Sequence, residues 1–183
     1  LEVMGRDAGH IALNAGIAGG ADIILIPELK YSIDGIVKKL LEIKKNKIGH
    51  SLIIVAESVK KENGENVLNN YKNQKRFGGI GHYIAKEIMR KADIECRVTS
   101  LGHIQRGATP VAIDRILASA FGVFAVDLIA NKKFSRLVVW QDRKVTDVPI
   151  EMGIKDYRQV TKDDTLLKTA FSLGIYLGDY SSK

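Results

Sequence analysis

The chain has little with which to build several kinds of site. Its single cysteine, Cys96, cannot close an internal disulfide or fill a cysteine-based zinc cluster. His10, His50 and His82 are not spaced as metal ligands, so no metal site is expected on these residues. No apolar run approaches the length needed to span a bilayer. Aromatic residues make up 7% of the chain, and they do not interleave with basic ones as in binders of single-stranded nucleic acid. No internal repeat is visible. The opening Leu1-Glu2-Val3-Met4-Gly5-Arg6 has no initiator methionine, basic leader or apolar signal core, and reads as the middle of a gene product or of a proteolysed one. A lone cysteine fits a reducing cytoplasm, with Cys96 at a buried strand position.

What is present is a basic surplus and a good core. The formal net charge is +7 over 183 residues, and 45% of residues are hydrophobic. Excess positive charge suits nucleic acid, an anionic membrane or small phosphorylated substrates. Many lysines fall on one helical stretch (Lys38, Lys39, Lys44, Lys45, Lys47) or in the loop from Lys60 to Arg76, and both read as solvated faces. Neither a nucleic-acid nor a membrane partner is expected. The small phosphorylated substrate remains.

Apolar runs alternate with helical periodicity. Ala8 to Ala18 is a helix stopped by Gly19-Gly20. Asp22 to Pro27 and Ser51 to Ala56 are buried strands, apolar on both faces. Ser32 caps a helix that carries Ile33, Ile36, Val37, Leu40, Leu41 and Ile43 on one face. Glu62 to Phe77 is a polar, asparagine-rich loop. Gly78-Gly79-Ile80-Gly81 lacks the dinucleotide fingerprint and reads as the entry turn of a helix over Ile80 to Ala92. Cys96 to Leu101 is a further strand. Ala112 to Ala130 is a long alanine-rich helix. Leu137 to Trp140 and Lys144 to Pro149 are short strands around Asp142-Arg143, and Thr165 to Gly174 is a last helix. Strand–helix–strand alternation predicts an α/β fold with a parallel sheet and right-handed crossovers.

The most informative stretch is Leu101-Gly102-His103-Ile104-Gln105-Arg106-Gly107. It sets an imidazole and a guanidinium three residues apart, between glycines that let backbone approach a ligand. A guanidinium fork suits phosphate oxygens. The preceding strand would place the pair at a strand's carboxyl end, where open α/β sheets bind ligands. Read alone, the stretch is equally a polar turn. Arg6 likewise reads as a surface arginine or as a phosphoryl contact near a helix N-terminus. Glu57 reads as a strand-end charge or an acceptor for sugar hydroxyls.

With Met4-Gly5-Arg6, Ala18-Gly19-Gly20-Ala21-Asp22, Ile26-Pro27-Glu28, Val55-Ala56-Glu57 and Pro110 to Ala118, this stretch makes the chain resemble the 6-phosphofructokinases. The resemblance covers the carboxyl-terminal half of a family subunit. It implies a three-layer α/β sandwich with a mostly parallel sheet, Rossmann-like lobes and a partial second lobe. The implied partition is a fructose 6-phosphate lobe over residues 1–109, part of the phosphoryl-donor lobe over 110–150, and a return to the first lobe over 151–183. The implied activity is that of a cytoplasmic, glycolytic transferase, a kinase phosphorylating the 1-hydroxyl of fructose 6-phosphate. ATP or pyrophosphate would be the donor, and Mg2+ the cofactor, its ligands lying in the other half.

The resemblance also implies residue roles. Met4 and Gly5 line the fructose 6-phosphate pocket, and Arg6 is catalytic, stabilising charge on the transferring phosphoryl group. Glu57 holds a sugar hydroxyl, while His103 and Arg106 grip the 6-phosphate and a nearby oxygen. Arg97 reaches a neighbouring subunit's site, which implies a homo-oligomer, a dimer or tetramer. Gly20 and His50 match a second, nucleotide-effector site of regulated bacterial members, and Asp22 stands where those members have a Glu that chelates magnesium. Asn46 and Ile48 stand where those members carry lysines, which argues against that regulation. A second reading of the chain as it stands is a non-catalytic sugar-phosphate-binding half.

Overall fold

The computed structural model describes residues 1–46, 49–71, 74–154 and 158–181. Lys47 of the lysine face, Ile48 of the effector motif, and Lys72 and Asn73 of the polar loop lie outside these. The elements in chain order are β1 (Glu2–Val3), α1 (His10–Ala18), β2 (Ile23–Leu25), α2 (Ile33–Lys45), β3 (Ile53–Ala56), β4 (Leu68–Tyr71), β5 (Gln74–Phe77), α3 (Ile80–Ala92), a 3-10 turn (Gly102–Arg106), α4 (Ala112–Ala130), β6 (Arg136–Gln141), β7 (Lys144–Pro149), α5 (Ile150–Ile154) and α6 (Thr165–Ser172). They form two compact units, one of Leu1–Arg106 with Arg158–Lys183, the other of Gly107–Tyr157.

The first unit is built on a parallel sheet of order β1-β3-β2. Single parallel bridges extend it at both edges, Glu2 to Ser100 and Ile23 to Tyr176. Alternation along the strands sends side chains to two faces. Ile24 and Ile26 lie against Gly16 and Gly9 of the α1 segment, and Glu2, on the other face, meets the start of α3. Helices therefore cover both sides, in three layers. Leu13, Ile23, Ile24, Ile36, Val55, Ile80 and Leu167 form much of the core.

Two carboxylates hold helix starts that lack a capping side chain of their own. Both oxygens of Glu28 accept from the Gly9 amide at 3.0 and 3.1 Å, and Oε1 also accepts from Val160 at 2.9 Å. Glu2, 3% exposed, accepts from Gly79 at 3.0 and 3.1 Å, from Gly81 at 2.9 Å and from the Ser100 hydroxyl at 3.2 Å. Gly79, with φ +95°, supplies the left-handed entry to α3. By contrast α2 caps itself, the Ser32 hydroxyl accepting from Gly35 at 3.0 Å.

The expected strand over Cys96 to Leu101 does not form a ladder. Only Ser100 pairs, through Glu2 N to Thr99 O at 2.8 Å and Leu101 N to Glu2 O at 3.0 Å. The expected polar loop Glu62 to Phe77 instead contains the antiparallel hairpin β4–β5, with Leu68 opposite Phe77 and Tyr71 opposite Gln74. Its polar residues hid the strand alternation.

The second unit packs α4 with the hairpin β6–β7. Asp142 and Arg143 both have positive φ, +50° and +62°, as a two-residue hairpin turn of matching twist requires. Among its described residues only Leu128 is buried.

At Gly9 a Cβ would stand 2.3 Å from Cβ of Ile26 and 2.9 Å from Oε2 of Glu28. Neither neighbour can yield without moving β2 or breaking the cap. Gly9→Ala is therefore expected to cost about 2 kcal/mol and lower Tm by about 6 °C, as read by thermal unfolding.

Candidate functional site

Parallel pairing of β1 with β3 puts their carboxyl ends at one edge, with Val3 opposite Ala56. The next residues are Met4-Gly5-Arg6 on one strand and Glu57 on the other. Glu57 Oε1 lies 3.4 Å from the Gly5 nitrogen and 3.3 Å from that of Arg6, accepting from both. The Glu57 amide donates to Val3 O at 2.9 Å. Arg6 has φ +47°, a left-handed conformation uncommon outside glycine. The Glu57 carboxylate shapes this tight turn and leaves the Arg6 side chain exposed.

The 3-10 turn Gly102–Arg106 lies beside it. Gln105 Oε1 accepts from the Met4 amide at 2.7 Å, and Ile104 N closes the turn on Leu101 O at 3.1 Å. With three residues per turn, side chains at i and i+3 eclipse. His103 and Arg106 have that spacing, so they share one side of the turn, and both are exposed. Among the described residues no acid lies within salt-bridge distance of Arg6, His103 or Arg106. The carboxyl edge thus gathers Met4, Gly5, Arg6, Glu57, His103 and Arg106, with two guanidinium groups and an imidazole open to an anionic ligand.

Arg97 lies elsewhere. It sits three residues ahead of Ser100, towards the amino end of the sheet. Its side chain is 91% exposed and pairs with Glu95 at 3.3 Å. A cavity of about 520 Å³ opens at this amino end, with Leu1, His50, Ile53, Cys96, Arg97 and Ile84 among its lining residues. Burial, and then the Glu95 charge, push the Cys96 thiol pKa up. The cavity's lining is mainly apolar; the phosphate-type chemistry gathers at the carboxyl edge.

Gly20, Asp22 and His50 also fall at the amino end. Gly20 has φ +68° where α1 stops. Asp22 Oδ2 accepts from the Leu52 amide at 2.8 Å, so this carboxylate caps the start of β3. His50 is exposed. Asn46 ends α2, its amide donating to Glu42 and Ile43. Among the described residues no group of three or more His, Cys, Asp or Glu is placed to hold a metal ion. No described helix is long and apolar enough to cross a membrane.

Sequence reasoning passed over Gln105 and Glu2. Gln105 stands inside the most informative motif, but a glutamine carries no charge to draw notice. Glu2 had a readable signal, being an acid inside an otherwise apolar strand, and a buried acid needs partners.

Gln105→Leu removes the acceptor for Met4 N and should cost about 1 kcal/mol. Gln105→Glu keeps an acceptor oxygen and should cost less. Urea unfolding measures both, and amide exchange at Met4 should quicken in the leucine variant alone.

The chain's relatives accord with this geometry. Residues 1–129 match the family model described as Phosphofructokinase. The chain is 53% identical over 180 residues to ATP-dependent 6-phosphofructokinase 1 of Nostoc sp., covering 98% of this chain and 50% of that protein. It is 52% identical to the Synechocystis sp. protein of the same name, with the same coverage. The chain therefore spans about half the length of the curated relatives it matches. Among solved structures, phosphofructokinase from Saccharomyces cerevisiae matches with TM-score 0.68 and 30% identity, over 84% of this chain and 20% of that one. A pyrophosphate-dependent phosphofructokinase from Nitrosospira multiformis shares the fold, with TM-score 0.71 and 20% identity over 100% of this chain and 49% of that one. An α/β sheet with its cations at the carboxyl edge, a family match over most of the chain and close relatives of one name converge: the chain belongs to the phosphofructokinase family.

Proposed function

We propose that the carboxyl edge is the fructose 6-phosphate site of an ATP-dependent 6-phosphofructokinase. The observation that carries this is the pairing of two turns, Met4-Gly5-Arg6 and Gly102–Arg106, joined by the Gln105–Met4 bond at 2.7 Å. Three basic side chains stand there with no acidic partner among the described residues. The relatives named above support ATP as the donor.

In this reading His103 and Arg106 grip the 6-phosphate from one side of their turn. Glu57 accepts from a sugar hydroxyl while its Oε1 holds the Gly5 and Arg6 amides. Met4 and Gly5 line the sugar. The 1-hydroxyl oxygen attacks the terminal phosphorus of the donor, the bond to the departing diphosphate oxygen breaks, and the hydroxyl proton passes to a base assigned to the part of a family-length subunit that this chain does not cover. Arg6 stabilises the charge that builds on the transferring group. Because such catalysis is mostly positioning and charge stabilisation, a fixed turn matters as much as the cation it carries.

Mg2+ would shield the phosphoryl oxygens when bound, but the described residues offer no ligand cluster for it, and no step of this chain's residues runs through it. Its ligands and the donor site are assigned to the part of a family-length subunit that this chain does not cover. The second unit supports that assignment. Ile116, Val123, Val126 and Ile129 of α4 are 62–66% exposed, an apolar surface that suits burial against another lobe. Residues 110–150 are accordingly placed in the donor lobe, and 1–109 with 151–183 in the sugar-phosphate lobe. Arg97, exposed and at the opposite end of the sheet from His103, is assigned to a neighbouring subunit's site in a homo-oligomer. The setting is cytoplasmic glycolysis.

Calorimetry of this chain with fructose 6-phosphate tests the site. Binding should weaken about 20-fold in Arg106→Ala, the scale of one charged hydrogen bond, and weaken with added salt. Absence of measurable binding at millimolar ligand would refute the assignment. A coupled assay of the 183-residue chain should show no turnover above background. In a family-length enzyme, Arg6→Ala should lower kcat by a larger factor than it raises KM for fructose 6-phosphate. A change in KM alone would make Arg6 a ground-state contact.

A further inference from the structure

The residues from Met4 to Gly9 carry the chain from β1 to α1, and Arg6 stands among them. Their amides are held at both ends. Gln105 accepts from Met4 at 2.7 Å, and Glu57 from Gly5 and Arg6 at 3.4 and 3.3 Å. Ala8 N then donates to Gly5 O at 3.1 Å, closing the turn that contains Arg6. At the far end the Gly9 amide donates to both oxygens of Glu28, at 3.0 and 3.1 Å. Sheet order explains the arrangement. β3 and β2 lie in succession beside β1. Glu57 directly follows β3, and Glu28 lies shortly beyond β2. The loop therefore begins at one strand-end carboxylate and finishes at the next.

Glu28 does more than cap a helix. One carboxylate oxygen suffices for a cap: at α6, Asp164 Oδ1 accepts from Leu166 at 2.8 Å. Glu28 gives Gly9 both oxygens, and its Oε1 also accepts from Val160 at 2.9 Å, just after the chain re-enters the first unit at Arg158. It is thus a junction of the β2 end, the α1 start and the returning chain. Ile26 closes the other side. A Cβ at Gly9 would stand 2.3 Å from Ile26 Cβ, so the Gly9 backbone already lies against this side chain. Gly9 can neither approach β2 nor leave Glu28 without losing a contact. Arg6, in the same loop, has φ +47°. An arginine keeps that left-handed conformation only while its surroundings impose it.

We propose that Glu28 is a positioning residue for Arg6. It acts through Gly9. Glu57 fixes one end of the turn and Glu28 the other, so the Arg6 guanidinium is aimed before a ligand arrives. Such aim matters most where charge builds during transfer, because a group already placed for the transition state needs no rearrangement there. Losing it should lower turnover and leave sugar-phosphate binding, which His103 and Arg106 provide, nearly unchanged. A simple helix cap would affect stability alone. The inference rests on the fructose 6-phosphate reading of the carboxyl edge and on the role given there to Arg6.

Glu28→Gln keeps the size of the side chain but sets an NH2 group against the Gly9 N–H. In a family-length enzyme it should lower kcat about tenfold and change KM for fructose 6-phosphate by less than about twofold. Asp164→Ala is the control: it removes the α6 cap, and should lower Tm while leaving kcat unchanged. In this chain, amide exchange at Arg6 and Gly9 should quicken in Glu28→Gln and not in Asp164→Ala. An unchanged kcat in Glu28→Gln would overturn the positioning role, and so would a rise in KM alone. An equal loss of kcat in Asp164→Ala would overturn it too, because the cause would then be general destabilisation. Calorimetry of this chain with fructose 6-phosphate separates the two readings. If the wild-type chain does not bind, the site reading fails and takes the role of Glu28 with it. If the chain binds and kcat of Glu28→Gln is unchanged, only the positioning role fails.

Discussion

The buried Glu2 carboxylate is the interaction on which the first unit depends. An acid that is 3% exposed in a β-strand would be costly without partners. No cationic side chain among the described residues forms a salt bridge with it. The amides of Gly79 and Gly81, at the positive end of α3, are its partners instead, with the Ser100 hydroxyl. One side chain thereby fixes the angle at which α3 meets the sheet and the place where the Ser100 segment joins it. Two residues further along β1 begins the Met4–Arg6 turn, and two residues beyond Ser100 begins the Gly102–Arg106 turn. The relative position of the two turns therefore follows from Glu2, with Gln105 to Met4 as the second tie.

The two ends of the sheet carry different chemistry for a topological reason. In a parallel sheet every strand leaves by the same edge, so turns after β1 and β3 converge whatever their distance in sequence. The carboxyl edge collects short polar turns, an open arginine on each, and the carboxylate that shapes one of them. The amino edge collects strand starts: Asp22 capping Leu52, His50 before β3, and the cavity beneath Cys96 and Arg97. Its needs are backbone pairing and apolar burial.

The second unit shows the same logic from the other side. Its hairpin is well specified, with Arg136 paired to Asp147 across the strands. Yet α4 is apolar over most of its surface and buries one residue, Leu128, among those described. A helix of that composition is suited to the interior of a larger lobe.

Much of this was legible in the amino-acid sequence. α3 and α4 occur at the residues that helical periodicity assigned, because their apolar faces and glycine or proline borders are local signals. The Ser32 cap was legible for the same reason, since a hydroxyl three residues from an amide needs no distant partner. Arg6, Glu57, His103 and Arg106 could be named as candidates from residue type and family likeness. Their convergence on one edge was decided by parallel pairing between strands some fifty residues apart. The strand reading of Cys96 to Leu101 is met by a ladder only at Ser100, because pairing is a property of two chains of backbone and not of one. The β4–β5 hairpin escaped notice because polar strands lack an alternating pattern. Glu2 and Gln105 acquired their roles only when tertiary structure brought amides to them, because a hydrogen bond across the fold leaves no mark on either residue's neighbours in sequence.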